Sequence, residues 1–467
     1  MLLARHAESR RFCEEAIAIA RGLGARAEEG HALNTLGCDL AYLGEGDTGV
    51  CHLRTARQIA DEAGDLDDLF RAYLNLSELL AGPLNRLAEG LAVALDGAGR
   101  SARVGMAGDY GVSLQSNAAA ALTELGRLAE AGDILAAAER RNASEVAAID
   151  LHGCWARLDL CGGRFAGAAA HLRAARDLMS QTVDPPYQAA LCATEAELAL
   201  WQGRPHQARE ALTQGLRQLD GLGSPWLVAP LLWLAARAEA DLAAAVPARD
   251  RPKSRARAEA RAAEMLARAG DLLSGPAFTA ETTRAYLGLC QAETGRLTDA
   301  DTDEAWRGMA AEWASLGHPL PEAYAHWRRA ETLLARRRAR DGAAALARAH
   351  ELTARAGAGH LAGEVAALAR RARISPLPPA AATGSQHPRR DSGGGSGLTP
   401  RQLEVLALIA EGMTNREIAR RLFITEKTAG AHVSGILATL GVRSRVEAAT
   451  TAHRLGLVQA GRAGGNP

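Results

Sequence analysis

The sequence predicts an all-α protein, on three observations. Hydrophobic residues make up 48% of the 467 residues while aromatics reach only 4%, and Ala and Leu prevail over Val and Ile, a mix that favours helix over pleated sheet. From about residue 10 to 373, apolar residues recur at i, i+3, i+4 and i+7, in stretches broken by short glycine-centred turns. The turns themselves recur: LGEGDTGVCHL, LGRLAEAGDIL, GGRFAGAAAHL, QGRPHQAREAL and TGRLTDADTDEAW place Gly44, Gly126, Gly163, Gly203 and Gly295 at like points, with Gly82 in the same slot. Successive spacings of 38, 44, 37, 40 and 92 residues, the last being two periods, give a repeat of roughly 37 to 46 residues.

Each repeat reads as a helical hairpin over residues 1–373. One hairpin cannot bury its own apolar faces, so hairpins stack into a solenoid in which each shields its neighbours. Glycine supplies a left-handed cap after the first helix. With its A-x-x-x-L-x-x-x-G-R-x-x-x-A character, the array resembles tetratricopeptide-like repeats. The charge-dense stretch 246–265 reads as an exposed loop leading into a longer helix. Residues 374–397, ISPLPPAAATGSQHPRRDSGGGSG, hold too much Pro, Gly and Ser to build a core and read as a flexible linker. A compact segment, 398–460, follows, then a disordered tail, 461–467.

Charge and cysteine content exclude several classes. The 54 cations balance the 54 acids, so the chain is not built mainly to coat nucleic acid or an anionic membrane, although a local basic patch can hide in a balanced total. Seven cysteines, with no C-x-x-C pair, suggest neither a disulfide framework nor a zinc site. There is no signal-peptide h-region and no run of about 18 uncharged apolar residues; the expected location is the cytoplasm. No Ser/His/Asp set or carboxylate pair has local support, so the expectation is a non-enzyme with no catalytic residues, metal or cofactor.

Residues 398–457 carry the functional signal. Thr399 with Gln402, Thr414 with Glu417 and Ser444 with Glu447 form capping boxes that open three helices, with Pro400 at the first helical position of one. Another helix starts at Thr425 without the acidic partner. Gly412, Gly441 and Gly456 close the first, third and fourth helices. Leu403, Leu406, Ile409, Ile418, Leu422, Val433, Ile436, Leu437, Leu440 and Val446 form the inward set. Only Phe423 and Ile424 separate helix two from the Thr425 cap, the short turn of a helix-turn-helix. Helix three presents Lys427, Gly430, Ala431, Ser434 and Ala438 on one small, uncluttered stripe that suits a major groove about 12 Å wide. Eight cations face five acids here, a local excess of three.

With its L-T-P-R-Q-x-x-V-L opening, E-I-A-x-x-L, K-T-A-x-x-H and L-G-V-x-S-R, the segment resembles the LuxR-type DNA-binding domain along its whole length. The resemblance implies a small four-helix domain whose third helix reads DNA. Gly430, Ala431 and Ser434 would stand at its base-reading positions, and Thr425, Lys427, Thr428 and His432 near phosphates. The fourth helix, with Val446, Ala449 and His453, would provide a dimer contact, making the chain a homodimer. Gly430, Gly435 and Thr439 depart from polar residues common in the family. Two glycines inside one helix cost roughly 1 kcal/mol each relative to Ala, and the missing polar groups imply weaker, salt-sensitive binding with relaxed base choice.

A LuxR-type domain after a helical-repeat array also resembles the large ATP-binding, MalT-like regulators of that family. Their ATPase motif, G-x-x-x-x-G-K-[ST], has no match: Lys253, the one lysine before the DNA-binding segment, lies in RPKSRAR without a glycine loop. A receiver domain is excluded by the same inventory. Because Met1 falls inside what reads as the second helix of a hairpin, a lost ATPase, a displaced start or a fragment is expected.

In the array, Asn34, Asn75 and Asn117 stand 41 and 42 residues apart on first helices. They form either a partner groove clamping a peptide backbone or hydrogen bonds to neighbouring loops. Trp226, Trp233, Trp306, Trp313 and Trp327 read as core before ligand groove. The run ARRRAR, 335–340, reads as a solvated face. The sequence therefore describes a cytoplasmic DNA-binding transcriptional regulator in which a helical-repeat sensor or docking array, open to a peptide, protein or small-molecule effector, controls a C-terminal helix-turn-helix on promoter DNA. The alternative is a repeat-based scaffold with a degenerate, weakly DNA-binding domain.

Overall fold

The structure is a computed structural model that describes residues 6–179, 185–221, 225–246, 251–274, 280–298, 300, 302–374, 400–410, 413–421, 433, 436–437, 442 and 444–454. No strand occurs among them, and the chain divides into two compact units, Met1–Thr383 and Gly384–Pro467.

The first unit runs through α1 (His6–Leu23), α2 (Arg26–Tyr42), α3 (Gly46–Ala63), α4 (Leu66–Ala81), α5 (Leu87–Arg103), α6 (Tyr110–Glu124), α7 (Leu128–Glu139), α8 (Glu145–Gly162) and α9 (Phe165–Met179). It continues through α10 (Pro185–Trp201), α11 (Pro205–Gln218), α12 (Pro225–Ala245), α13 (Arg251–Ser274), α14 (Glu281–Thr298), α15 (Asp303–Leu316), α16 (Pro319–Ala335), α17 (Ala339–Ala356) and α18 (Gly359–Arg371). Each even-numbered helix from α2 to α12 packs on its hairpin partner and on the next even-numbered helix, the arrangement that a tetratricopeptide-like solenoid requires. α13 is the long helix expected here, and it takes in residues 251–265 of the charge-dense stretch itself.

Gly44, Gly126, Gly163 and Gly203 take left-handed backbone at the expected turns. Two of the six expected slots differ. Gly82 has φ −84°, because the following Gly-Pro step lengthens the turn and hands the left-handed position to Asn85, φ 52°. Gly295 lies inside α14, which continues for another three residues before Thr302 caps α15 by accepting from the Ala305 N–H at 3.0 Å. Left-handed Gly24, Gly64, Gly317 and Gly357 moreover follow α1, α3, α15 and α17, so glycine punctuates the second helices as well as the first.

The hairpins do not form an open spiral. The α15–α16 and α17–α18 turns return to the α4–α5, α6–α7 and α8–α9 turns. Asn85 Nδ2 donates to the Leu316 carbonyl at 3.2 Å, and buried His318 bridges Asn85 Oδ1 at 2.7 Å and Glu124 Oε2 at 3.0 Å. Burial works against the Glu124 carboxylate, but His318 and Arg157 outweigh it and hold its pKa below the usual range. Glycine is required at this seam: a Cβ on left-handed Gly126 would lie 2.5 Å from Pro319 Cγ.

The largest core surrounds α12, whose Leu231–Ala236 run is buried all round, as a helix in the middle of a large core must be. Trp233, Trp306, Trp313 and Trp327 are buried in the same core, as expected, while half-buried Trp226 stacks on Tyr42 with centroids 6.3 Å apart. Beside them lies a buried charge cluster. Tyr324 donates its hydroxyl hydrogen to Glu293, Arg328 Nε donates to the Tyr324 hydroxyl at 2.9 Å, and Arg296 donates to Glu293 at 2.5 Å and to Asp241 at 3.0 Å. Burial raises the Glu293 pKa, yet Arg296 and Arg328 more than reverse this and keep the carboxylate charged.

Candidate nucleic-acid interface

The second unit contains α19 (Pro400–Ala410), α20 (Asn415–Arg421) and α21 (Arg445–Arg454), with Val433, Ile436 and Leu437 also helical. Its core joins Val405, Leu406, Leu408, Ile409, Ile418, Ala419, Ile436, Ala448 and Ala452, flanked by Met413, Val433, Leu437, Val442 and Ala449. Leu406, Ile409, Ile418, Val433, Ile436 and Leu437 therefore pack inward as the periodicity predicts.

One capping box and one serine cap position the helices. At α20 the Thr414 hydroxyl accepts from the Glu417 N–H at 3.4 Å, while the Glu417 carboxylate accepts from the Thr414 N–H and hydroxyl, both at 2.7 Å. These reciprocal bonds satisfy donors that a helix start leaves free, and the Thr414 N–H, with its hydroxyl, lowers the Glu417 pKa. At α21 the Ser444 hydroxyl accepts from the Glu447 N–H at 3.2 Å. Arg445 donates to the Met413 carbonyl and so ties the start of α21 to the turn before α20.

With Ile418 and Ala419 anchoring its buried face, α20 leaves Arg416, Arg420 and Arg421 exposed. In a helix-turn-helix the first helix of the pair crosses the nucleic-acid backbone, where guanidinium groups bond phosphate oxygens. These arginines entered the sequence reading only as counted charges; their grouping follows from the burial of Ile418 and Ala419 between them.

Thr425, Lys427, Thr428, Gly430, Ala431, His432 and Ser434 lie outside the described residues, as do Thr399, Gly412, Leu422, Leu440, Gly441 and Gly456. Val446 and His453 fall within α21, and half-buried Ala449 packs on the domain's own core.

In the array, Asn75 Nδ2 donates to Asn34 Oδ1 at 3.0 Å, and Asn117 Nδ2 donates to Ser77 Oγ at 3.0 Å. The three amides thus link α2, α4 and α6. Asn34 is buried, and its Nδ2 has no protein partner. Arg336, Arg337, Arg338 and Arg340 are exposed at the α16–α17 turn, with Arg338 bridging Asp303 and Asp341 at 3.0 and 2.7 Å. None of the described helices is long and apolar enough to cross a membrane.

Comparison with known proteins agrees with this geometry. Residues 396–452 match the family of bacterial regulatory proteins, luxR family. The transcriptional regulatory protein LiaR of Bacillus subtilis is 56% identical over 61 residues, 13% of this chain and 29% of that protein. The DNA-binding transcriptional activator DevR/DosR of Mycobacterium tuberculosis is 47% identical over 60 residues, 13% of this chain and 28% of that protein. A putative HTH-type transcriptional regulator of the same organism, Rv0890c, is 38% identical over 68 residues, 15% of this chain and 8% of that protein. The chain spans less than a third of the length of these relatives. Its C-terminal segment is a LuxR-type helix-turn-helix domain.

Proposed function

We propose that the chain is a cytoplasmic transcriptional regulator in which the array of residues 1–373, joined through the linker 374–397, controls promoter binding by the domain of residues 398–460. The observation that carries this is the LuxR-type domain itself: a match to the regulator family over 396–452, with the Thr414–Glu417 box and the Ile418 anchor holding three exposed arginines on α20, the helix that precedes the predicted recognition helix in sequence. On this reading Lys427, Thr425, Thr428 and His432 hold phosphates, joined by Arg416, Arg420 and Arg421, while Gly430, Ala431 and Ser434 meet base edges. Phosphate contacts supply affinity and position; base contacts supply sequence. α21, through Val446, Ala449 and His453, pairs two copies on a two-fold-symmetric site.

A tethered array acts by changing how often two helix-turn-helix domains meet on DNA, through effective concentration, rather than through a rigid joint. The test is binding of the full chain to genomic fragments at two salt concentrations. Selective binding that weakens with salt and is lost in Lys427→Ala is expected. Retention of selective binding by both Lys427→Ala and Arg420→Ala would overturn the assignment. Gly430 and Thr439 favour the second reading, an interaction scaffold with a weak helix-turn-helix, and that reading predicts no selective fragment at either salt concentration.

A further inference from the structure

Five turns of the array share one hydrogen-bond pattern, and two of them break its usual residue rule. After α6, α8 and α10 the chain turns through Gly126-Arg127, Gly163-Arg164 and Gly203-Arg204, with the glycine left-handed. The glycine N–H donates to the carbonyl three residues back and the arginine N–H to the carbonyl five back, as in Gly126 to Thr123 at 3.0 Å and Arg127 to Leu122 at 2.8 Å. This is a Schellman cap. The same bonds follow α16, from Arg337 to Leu334 at 3.0 Å and from Arg338 to Leu333 at 2.9 Å, and α18, from Arg373 to Arg370 at 3.1 Å and from Ile374 to Ala369 at 2.9 Å. Here the left-handed position is held by arginine, at φ 61° in Arg337 and 55° in Arg373.

A Cβ is strained in that backbone, which is why glycine prevails there. Asn85, the third non-glycine residue with positive φ among the described residues, belongs to a type that tolerates it, and its amide holds the seam. Arginine has no such tolerance, and the fold makes no use of these two side chains: both are exposed, and no described carboxylate pairs with either. Strain kept for an exposed charge points to a use outside the fold.

Both turns lie on one edge of the array. Connections of three and two residues, 336–338 and 357–358, reverse the chain twice, so α16 and α18 run in the same direction, and they pack against each other. α18 has 13 residues and α17 has 18, so the two ends differ in height by only about 8 Å at 1.5 Å per residue. Arg336, Arg337, Arg338 and Arg340 are exposed at one end, and Arg370, Arg371 and Arg373 at the other. Over residues 335–341 and 370–374 seven arginines face one acid, an excess of six in a chain that has none overall and twice that of the LuxR-type segment. The acids at this edge are occupied: Asp341 by Arg338 at 2.7 Å, and Asp303 by Arg338 at 3.0 Å and Arg329 at 2.5 Å. Among the described residues no carboxylate pairs with Arg337, Arg340, Arg370, Arg371 or Arg373. From this same edge, at Ile374, the chain continues into the residues that lead to the LuxR-type segment.

We propose that this arginine edge is a second DNA contact, which holds the phosphate backbone of the duplex that the helix-turn-helix occupies and reads no bases. The inference rests on the DNA-binding reading and deepens it by giving the array its own hold on the DNA. A duplex carries one negative charge per roughly 1.7 Å of axis, so an edge of this span meets several phosphates, and guanidinium groups bond phosphate oxygens in pairs. Attachment to a DNA-binding domain raises the effective concentration of duplex at the edge, so contacts too weak to act alone still act in the full chain.

The test is fluorescence anisotropy of a 60-bp random-sequence duplex titrated with the full chain. Arg337→Gly/Arg373→Gly removes two charges and supplies the residue that this backbone prefers, so the thermal midpoint of tryptophan emission stays or rises. The slope of log K against log salt between 50 and 200 mM is expected to fall by about 1.8, at 0.9 per phosphate, with binding about tenfold weaker at 50 mM. Arg337→Lys/Arg373→Lys keeps the slope, and Arg370→Gln/Arg371→Gln, on the exposed surface of a regular helix, lowers it as the glycine pair does. The same loss is expected on a Lys427→Ala background, so a helix-turn-helix that fails to bind leaves this result readable. An unchanged slope in both the glycine and the glutamine variants overturns the proposal. A lowered thermal midpoint in the glycine variant overturns the argument from strain, and polyglutamate bound as tightly as the duplex, and lost in the same variants, assigns the edge to an acidic protein instead.

Discussion

The C-terminal domain and the array carry information at different densities. In the small domain each of Thr414, Glu417, Ile418 and Arg420 has one assignable role, as cap, counter-cap, anchor and exposed charge respectively. In the array the same helical period recurs for more than 360 residues, and most positions serve only to bury a hairpin against its neighbours. A domain of the first kind announces its partner in a few motifs. One of the second kind announces its architecture, and its specificity lies in the few places where the repeat is broken by rings or charges.

All seven tryptophans and all six tyrosines lie in the array, so tryptophan emission follows that unit, and DNA binding follows the other. The largest effect belongs to Glu293→Ala. It strands Arg296 and Arg328 in the core, and the loss is about 3–5 kcal/mol, read as an earlier urea midpoint of tryptophan emission; an unmoved midpoint would mean that the cluster is solvated. Ile418→Ala sharpens the contrast from the other side. It empties a fully buried site for about 2–5 kcal/mol, abolishing DNA binding while leaving the emission curve unchanged; a shift in that curve breaks the separation.

The third effect is acid sensitivity of the array. Burial lowers His360 to about 4, with Arg237 adding to it, and burial lowers His326 to about 4 with help from Arg348 and Arg329. Glu322, 3.8 Å from His326, does not reverse this because Arg348 already engages it at 2.9 Å. Both imidazoles bind protons more readily in the unfolded chain, whose His pKa is about 6.5. Their contribution is present above about pH 6.5 and is lost as pH falls toward 4, by on the order of 2 kcal/mol after allowance for partial exposure. Urea midpoints of the emission curve at pH 7.0 and 5.0 measure it; equal midpoints refute it. The smallest effect is Thr414→Ala, which removes one cap for about 1 kcal/mol and lowers the thermal midpoint of the C-terminal domain, with Thr414→Ser restoring it.

What the sequence made legible follows the same division. The hairpins, the Thr414 and Ser444 caps and the burial of Trp306 and Trp313 could be read because each depends on residues within one or two turns of one another. Val405, Leu408, Ala419, Ala448 and Ala452 escaped the inward set because alanines are weak periodicity signals and an apolar stripe more than 100° wide spills over a strict i, i+4 series. The closing seam escaped entirely. Nothing local to Asn85 encodes His318, 233 positions away.

That seam also sets the order in which the chain can be made. A linear stack of repeats can gain stability one unit at a time as it is synthesised, but here Asn85 and Glu124 await a histidine 233 and 194 residues downstream. At a synthesis rate of roughly 5–20 residues per second, the first hairpins spend about 10 to 45 seconds outside the ribosome before their lid arrives. During that interval Asn85 and Glu124 stand without the histidine that bridges them. Rare codons between residues 124 and 318 would lengthen this wait for both groups.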